Sequence, residues 1–388
     1  MNPYDFVPID TARPPQRRKP VWHNVLAPDK GHPEKLYSGY LNLYIKAETP
    51  LFIPYIDSSQ QTSPMQNPDK PAEHIYRKDG MYIIPGTSLK GVLRTVVETL
   101  CSGCLGVFRV PREYTQNPVP PAFAYCQDNT ALCISCRLFG MMQSGQSNGG
   151  VFLGKVNIGD ALVYEDSLHY YKPIYTAVLD SPKPRHTAFY LDSQRRYIAG
   201  RKFYFHHDEE PRIENRLLEI RSKPGEYRNQ YIEPLASGTE FSARIDFTNL
   251  EADEFAALML AIALHPDMRH KIGYGKPIGL GTVRIDAIEL ALVDYTKRYT
   301  NFRFGRGISK YDLDQTTNLV YEQMASLEDS HIHEHWQRFS TLPSLQNLHR
   351  IWQWRPDPSV TYAYPSQRWF KEHAQARIQD TKSLYPGD

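Results

Sequence analysis

Two helical stretches set among segments of alternating apolar and polar residues constrain this chain more than any other feature. The run YSGYLNLYIKAETPLFI, from Tyr37 to Ile53, changes polarity nearly every residue, the pattern of a half-buried strand. A short strand at Met81 to Ile84 leads into a helix from about Thr87 to Leu100. There Leu89, Val92, Leu93, Val96, Val97 and Leu100 share one face, and Thr87 or Ser88 can cap the first turn. Val151 to Val163 and Glu240 to Thr248 alternate again. Asn249 then stands where it can cap a second helix running to about His265. Its first turn carries Glu251, Asp253 and Glu254, acids that favour the positive end of the helix dipole. Thr282 to Leu290 is the last alternating segment. The order strand, helix, strand, strand, helix, strand predicts an α+β fold, a ferredoxin-like (RRM-like) antiparallel sheet with two helices on one face. Residues 57–79, 101–150 and 164–238 are then large insertions.

Such a core spans residues 37–295 and leaves two flanks. Residues 1–36 are polar and proline-rich, carry the basic patch Arg13 to Lys19 and show no apolar periodicity, so a basic arm ordered by a partner is expected. Residues 296–388 form a C-terminal extension rich in Trp, His and Arg, with a helix expected at Leu313 to Met324, suited to docking on a neighbour. The 45 basic and 43 acidic residues give a net charge of only +2, so any nucleic-acid surface has to be local. No apolar run is long enough to span a bilayer, and the start MNPYDFVPID lacks the order of a signal peptide; a cytoplasmic setting is expected. In that reducing setting the five cysteines, all between positions 101 and 136, point to a metal rather than to disulfides. Cys126, Cys133 and Cys136, with the pair Cys101 and Cys104, offer four thiolates out of five for a closed, structural zinc site.

Two glycine-rich segments sit beside cations. IPGTSLKGVLR places Gly86, the hydroxyls of Thr87 and Ser88, and the charges of Lys90 and Arg94 at a helix start. Its spacing does not match the Walker pattern, yet a helix N-terminus with free amides, hydroxyls and a cation suits phosphate. The second segment, Lys271 to Gly281, follows a helix and enters a strand, the reverse of a dinucleotide fingerprint. Gly273, Gly275, Gly279 and Gly281 would let a ligand backbone pass close to Tyr274 and Lys276. The plain alternatives are an ordinary capped helix and a flexible connector.

IPGTSLKGVLR after a strand, Cys136-Arg137-Leu138-Phe139-Gly140 ahead of a strand and HKIGYGKPIGLGTVRI near the end of the domain resemble the three signatures of the RAMP superfamily, the repeat-associated RNA-binding proteins of CRISPR systems. Within it the chain is most similar to backbone subunits of type III effector complexes. Gly200 to His207 (GRKFYFHH) with the N-terminal NPYDFVP resembles the type III-D branch. The resemblance implies a subunit that binds guide crRNA along its phosphates, meets target RNA, stacks with other RAMP subunits and the large subunit, and breaks the guide–target duplex with a thumb-like hairpin. Gly86, Thr87, Ser88, Lys90 and Arg94 would then cradle guide phosphates together with Lys271, Gly273, Tyr274, Gly275, Lys276, Gly279 and Gly281. The hairpin would lie in the 164–238 insertion, where Arg185, His186, Arg195, Arg196, Arg201 and Lys202 mix with aromatics in a way that suits splayed bases.

The resemblance also implies cleavage of target RNA by an aspartate in the loop before the IPG turn. Asp69 lies nearest the family position and Asp57 is the second choice, whereas Asp79 precedes Gly80 in a tight turn. A magnesium ion would steady the charge at phosphorus, because a lone carboxylate is a weak base near neutral pH. The alternatives are a non-catalytic guide-binding scaffold and a stand-alone guide-processing endoribonuclease that uses histidine. His206, His207, His265 and His270 lack a carboxylate at ligand spacing and read as RNA-facing or surface groups.

Overall fold

The computed structural model describes residues 1–25, 35–54, 75–106, 114, 116–142, 150–179, 186–207, 210–220, 223–300, 307–312, 330–354 and 359–383. Its centre is the expected ferredoxin-like unit: β1 (Tyr37–Ala47), α1 (Gly86–Leu100), β2 (Ala161–Val163), β3 (Glu240–Leu250), α2 (Ala252–Ala263) and β4 (Thr282–Val293). The sheet runs β4-β1-β3-β2, and every pairing is antiparallel. Register follows the apolar alternation. Ile45 faces Phe241 and Ile285 across the ladder, Leu43 faces Ala243 and Ala287, and Leu41 faces Ile245 and Leu290, all of them buried. A slip of one residue would turn this whole set to solvent, so the pattern specifies the pairing. Met81–Ile84 extends the sheet beyond β2, and Ile308–Asp312 pairs with β4 on the other side.

α1 buries Leu89, Leu93, Val96, Val97 and Leu100, the face read from its spacing. α2 is apolar on all sides, which requires cover all round. The helix Ser330–Ser340 of the C-terminal extension supplies part of it, with Ile332, Trp336 and Phe339 buried. A second extension helix, Pro343–Trp352, packs on α1, on Tyr4–Pro8 and on Gly200–Tyr204. The described helices of the extension thus fold back on the chain's own core. The helix expected at Leu313 to Met324 lies outside the described residues.

The N-terminal segment departs from expectation. Tyr4–Pro8 is a strand paired with Gly200–Tyr204, and Tyr4 and Val7 are buried. Arg18 reaches the start of α2, where it meets Asp253 at 2.6 Å and Glu251 at 3.2 Å. Both helix caps differ as well. α1 begins after Pro85 with no side-chain cap from Thr87 or Ser88; instead the Gly86 amide donates to Asp160 at 2.9 Å. A Cβ on Gly86 would come within 2.2 Å of the Ile158 carbonyl, so only glycine lets this helix start so close to the sheet. α2 is capped by Glu251, with Glu254 completing a capping box. Asn249 is drawn away by tertiary contacts: its backbone is left-handed, its backbone amide donates to the Ser38 hydroxyl at 2.8 Å, and its side-chain NH2 donates to the Val25 carbonyl at 2.6 Å.

Candidate nucleic-acid interface and metal centre

A groove of about 590 Å³ runs along the outer side of α1. Ser88, Gly91, Val92 and Thr95 of the helix form one wall. Lys271, Gly273, Tyr274 and Lys276 of the second glycine segment form another, and Lys202, Tyr204 and Trp352 close it. The two glycine-rich segments, far apart in sequence, therefore line one cleft. The second keeps its shape because all four of its glycines have positive φ, and a Cβ on Gly281 would lie 1.9 Å from the Ile272 carbonyl.

The electrostatics of the groove are one-sided. Lys271 Nζ donates to Thr282 Oγ1 at 2.9 Å, Lys276 Nζ to the Gly273 carbonyl, and Lys202 Nζ sits 3.8 Å from the centre of the Tyr4 ring. Among the described residues none of the three meets a carboxylate. Burial, with a smaller contribution from the charge of Lys276, pushes Lys271 down to about 7 and Lys202 to about 8. Burial lowers Lys276 too. Trp352 adds a buried indole N–H that has no partner among the described residues. Three cations around one cleft, with no carboxylate partner among the described residues, are the chemistry of an anion site.

Other expected RNA-binding residues stand elsewhere. Gly86 has its amide already taken by Asp160, Thr87 is exposed at the helix start, and burial and the Arg94 charge lower the Lys90 ammonium. Arg94 and Arg201 both grip the buried Glu98, at 2.8 and 2.9 Å. Arg195 and Arg196 are exposed, Arg195 touching Gln375 and Arg196 lying over Tyr197. His186 is buried and donates to the Ala376 carbonyl at 3.0 Å. Within the insertion a described hairpin pairs Glu219–Ile220 with Lys223–Tyr227. Arg185, Asp57 and Asp69 lie outside the described residues. His206, His207 and His270 are buried, contrary to expectation. His206 bonds Thr282 and the Arg269 carbonyl, His270 donates to the Ala261 carbonyl, and burial holds His207 near 3 and His270 near 4.

Beside α1, Cys104, Cys126, Cys133 and Cys136 are buried with their sulfurs all within 4.8 Å of one another. Cys101 stays apart, at the C-terminal end of α1. The Cys104 and Cys136 sulfurs are 3.6 Å apart. Four metal–sulfur bonds of about 2.3 Å in a tetrahedron place sulfurs about 3.8 Å from each other, close to the Cys104–Cys136 separation, so the tetrad could hold a metal ion. Two donors reach its sulfurs: Arg94 approaches Cys136 Sγ at 3.7 Å, and the Cys133 amide donates to Cys126 Sγ at 3.3 Å.

The motif CRLFG gains a physical meaning here. Cys136 belongs to the tetrad, and Arg137, 2% exposed, donates to Glu251 (2.7 Å), Glu254 (2.8 Å) and Asp253 (2.8 Å) at the start of α2. Lys155 adds a second buried cation, 2.7 Å from Glu254. This network ties the cysteine segment to the core.

No curated protein matches the sequence. Among solved structures, the chain is similar to one described as the cryo-EM structure of the Type III-B Cmr-beta bound to cognate target RNA, at 12% identity and a TM-score of 0.33. The likeness covers 66% of this chain, which spans 61% of that one. The family model described as RAMPs, RAMP superfamily, matches residues 44–284, from within β1 to the third residue of β4, and so contains both walls of the groove and the cysteine tetrad. By that match over more than half of its length, the chain belongs to the RAMP superfamily.

Proposed function

We propose that this protein is a guide-RNA-binding backbone subunit of a type III CRISPR effector complex, holding crRNA by its phosphates in the groove along α1. The observation that carries the reading is the convergence of Lys202, Lys271 and Lys276 on one cleft with no carboxylate partner among the described residues. Phosphate contacts fix register without reading sequence, which is what a subunit serving many guides needs. The cysteine tetrad is a structural zinc site in this reading, since four thiolates leave no open position for chemistry.

The same subunit cuts target RNA in this proposal, with Asp69 as the acting carboxylate, Asp57 as its alternate and a magnesium ion at the scissile phosphate. The partners are guide crRNA, target RNA, other RAMP subunits and the large subunit; no described helix is long and apolar enough to cross a membrane. The test uses the full chain and the assembled complex. Lys202→Gln with Lys276→Gln should weaken binding of unrelated guides by the same factor, at least tenfold, and flatten the salt dependence. Losses confined to certain sequences would point to base readout and refute the groove assignment. Asp69→Ala should abolish one target cut while guide binding and assembly stay intact. Normal cutting by both Asp69→Ala and Asp57→Ala would make the chain a scaffold.

A further inference from the structure

Three side chains from distant segments meet past the end of α2. His265 and Asp267 lie in the turn after the helix, and His349 comes from the extension helix Pro343–Trp352. His349 Nε2 sits 2.8 and 3.0 Å from the two Asp267 oxygens, and His265 Nδ1 touches the same carboxylate. One ligand atom from each falls within 4.8 Å of the others. The backbone holds both halves in place without any ligand. Leu264, at φ 51°, turns the chain out of α2; the Trp354 amide donates to the Asp267 carbonyl at 2.6 Å and the Arg269 amide to the Trp352 carbonyl at 3.1 Å. The group is partly open to solvent, which leaves room for further ligands.

We propose that His265, Asp267 and His349 form a second metal site, distinct from the cysteine tetrad, which takes a divalent transition ion of the zinc class and clamps the C-terminal helix onto the core. Two imidazole nitrogens and one carboxylate oxygen are a borderline donor set that zinc and its neighbours accept. Bonds of about 2.0–2.2 Å place neighbouring ligand atoms roughly 3 Å apart, close to the separation of His349 Nε2 from the Asp267 oxygens. A metal replaces the hydrogen bonds now joining the rings to Asp267: each bound nitrogen donates its lone pair to the ion, and any ring proton there moves to the other nitrogen or to water. Protons compete with the ion for the same nitrogen lone pairs. Solvent or a partner's oxygen completes the coordination.

Cobalt(II) titration of the metal-free full chain under reducing conditions tests the site. Wild type should bind two ions per chain, one giving the intense thiolate-to-cobalt absorption of the tetrad and one adding only weak visible bands. His265→Ala with His349→Ala should bind one ion, keep the thiolate absorption, which also reports that the core has folded, and lose the metal-dependent protection of residues 343–352 from hydrogen exchange. Asp267→Asn, which keeps the shape of the side chain, should lose the second ion as well. A wild-type count of one ion accompanied by the thiolate absorption, or a second ion that survives in all of these variants, would overturn the proposal; one ion without that absorption would count against the tetrad and not against this site.

Discussion

Lys271 and Lys202 sit in the groove with ammonium groups that burial makes costly to keep charged. Their ordinary value is 10.5, and the folded protein holds them at about 7 and about 8. A phosphate in the groove favours the charged form and raises both again, so binding near neutral pH takes up protons. The sign follows: RNA affinity should fall as pH rises from about 7 to 9, because free lysines lose the protons that the complex needs. Fluorescence titrations at constant ionic strength check this, and an affinity independent of pH over that range would remove these two lysines from the interface. The sequence shows both lysines as cations among aromatics and glycines. It does not show that Lys271 is folded over Thr282, because that burial comes from the hairpin His270–Lys271 forms with β4. The histidine triad was hidden for a similar reason: Asp267 finds its second imidazole, His349, only through tertiary packing.

At the scale of elements, the buried clamp on α2 is the feature with the largest stake. Three acids are clustered at the α2 start, and Arg137 reaches all three while Lys155 reaches Glu254. Arg137→Met removes one cation and leaves those carboxylates in a dry site, which should cost about 3–5 kcal/mol. Urea unfolding of the purified chain measures it, and a loss below about 1 kcal/mol, the scale of an exposed pair, would contradict the clamp. β1, β3 and both helices were legible because burial writes its period into them, whereas the run Val151 to Val163, expected as one strand, is three short ones, of which Val151–Leu153 pairs away from the central sheet with Gly140–Met142. The caps were not. Asn249 has the right chemistry to cap α2, but Ser38 and the carbonyls of Trp22, His23 and Val25 hold it in place two residues early. The cysteines were legible as a cluster. That Cys101 is the one left out follows from where α1 ends, since the next turn carries Cys104 toward Cys136 and leaves Cys101 at the helix cap.

Across the whole molecule, the extension and the N-terminal strand are parts of the core's surface. Tyr4–Pro8, Gly200–Tyr204 and Pro343–Trp352 pack together beside α1, and through Lys202, Tyr204 and Trp352 they complete the groove. Trp352 lies beyond the stretch matched by the family model, so a signature-based reading has no means of finding it. The groove is thus a product of tertiary closure: the glycine segments supply two walls, and distant residues supply the remainder. Photocrosslinking of the full chain to a guide RNA, followed by mapping of the linked peptides, tests this most directly. The account predicts crosslinks at Tyr204, Tyr274 and Trp352, lost together in the Lys202→Gln with Lys276→Gln variant. Efficient crosslinks that avoid all three residues and persist in that variant would contradict it.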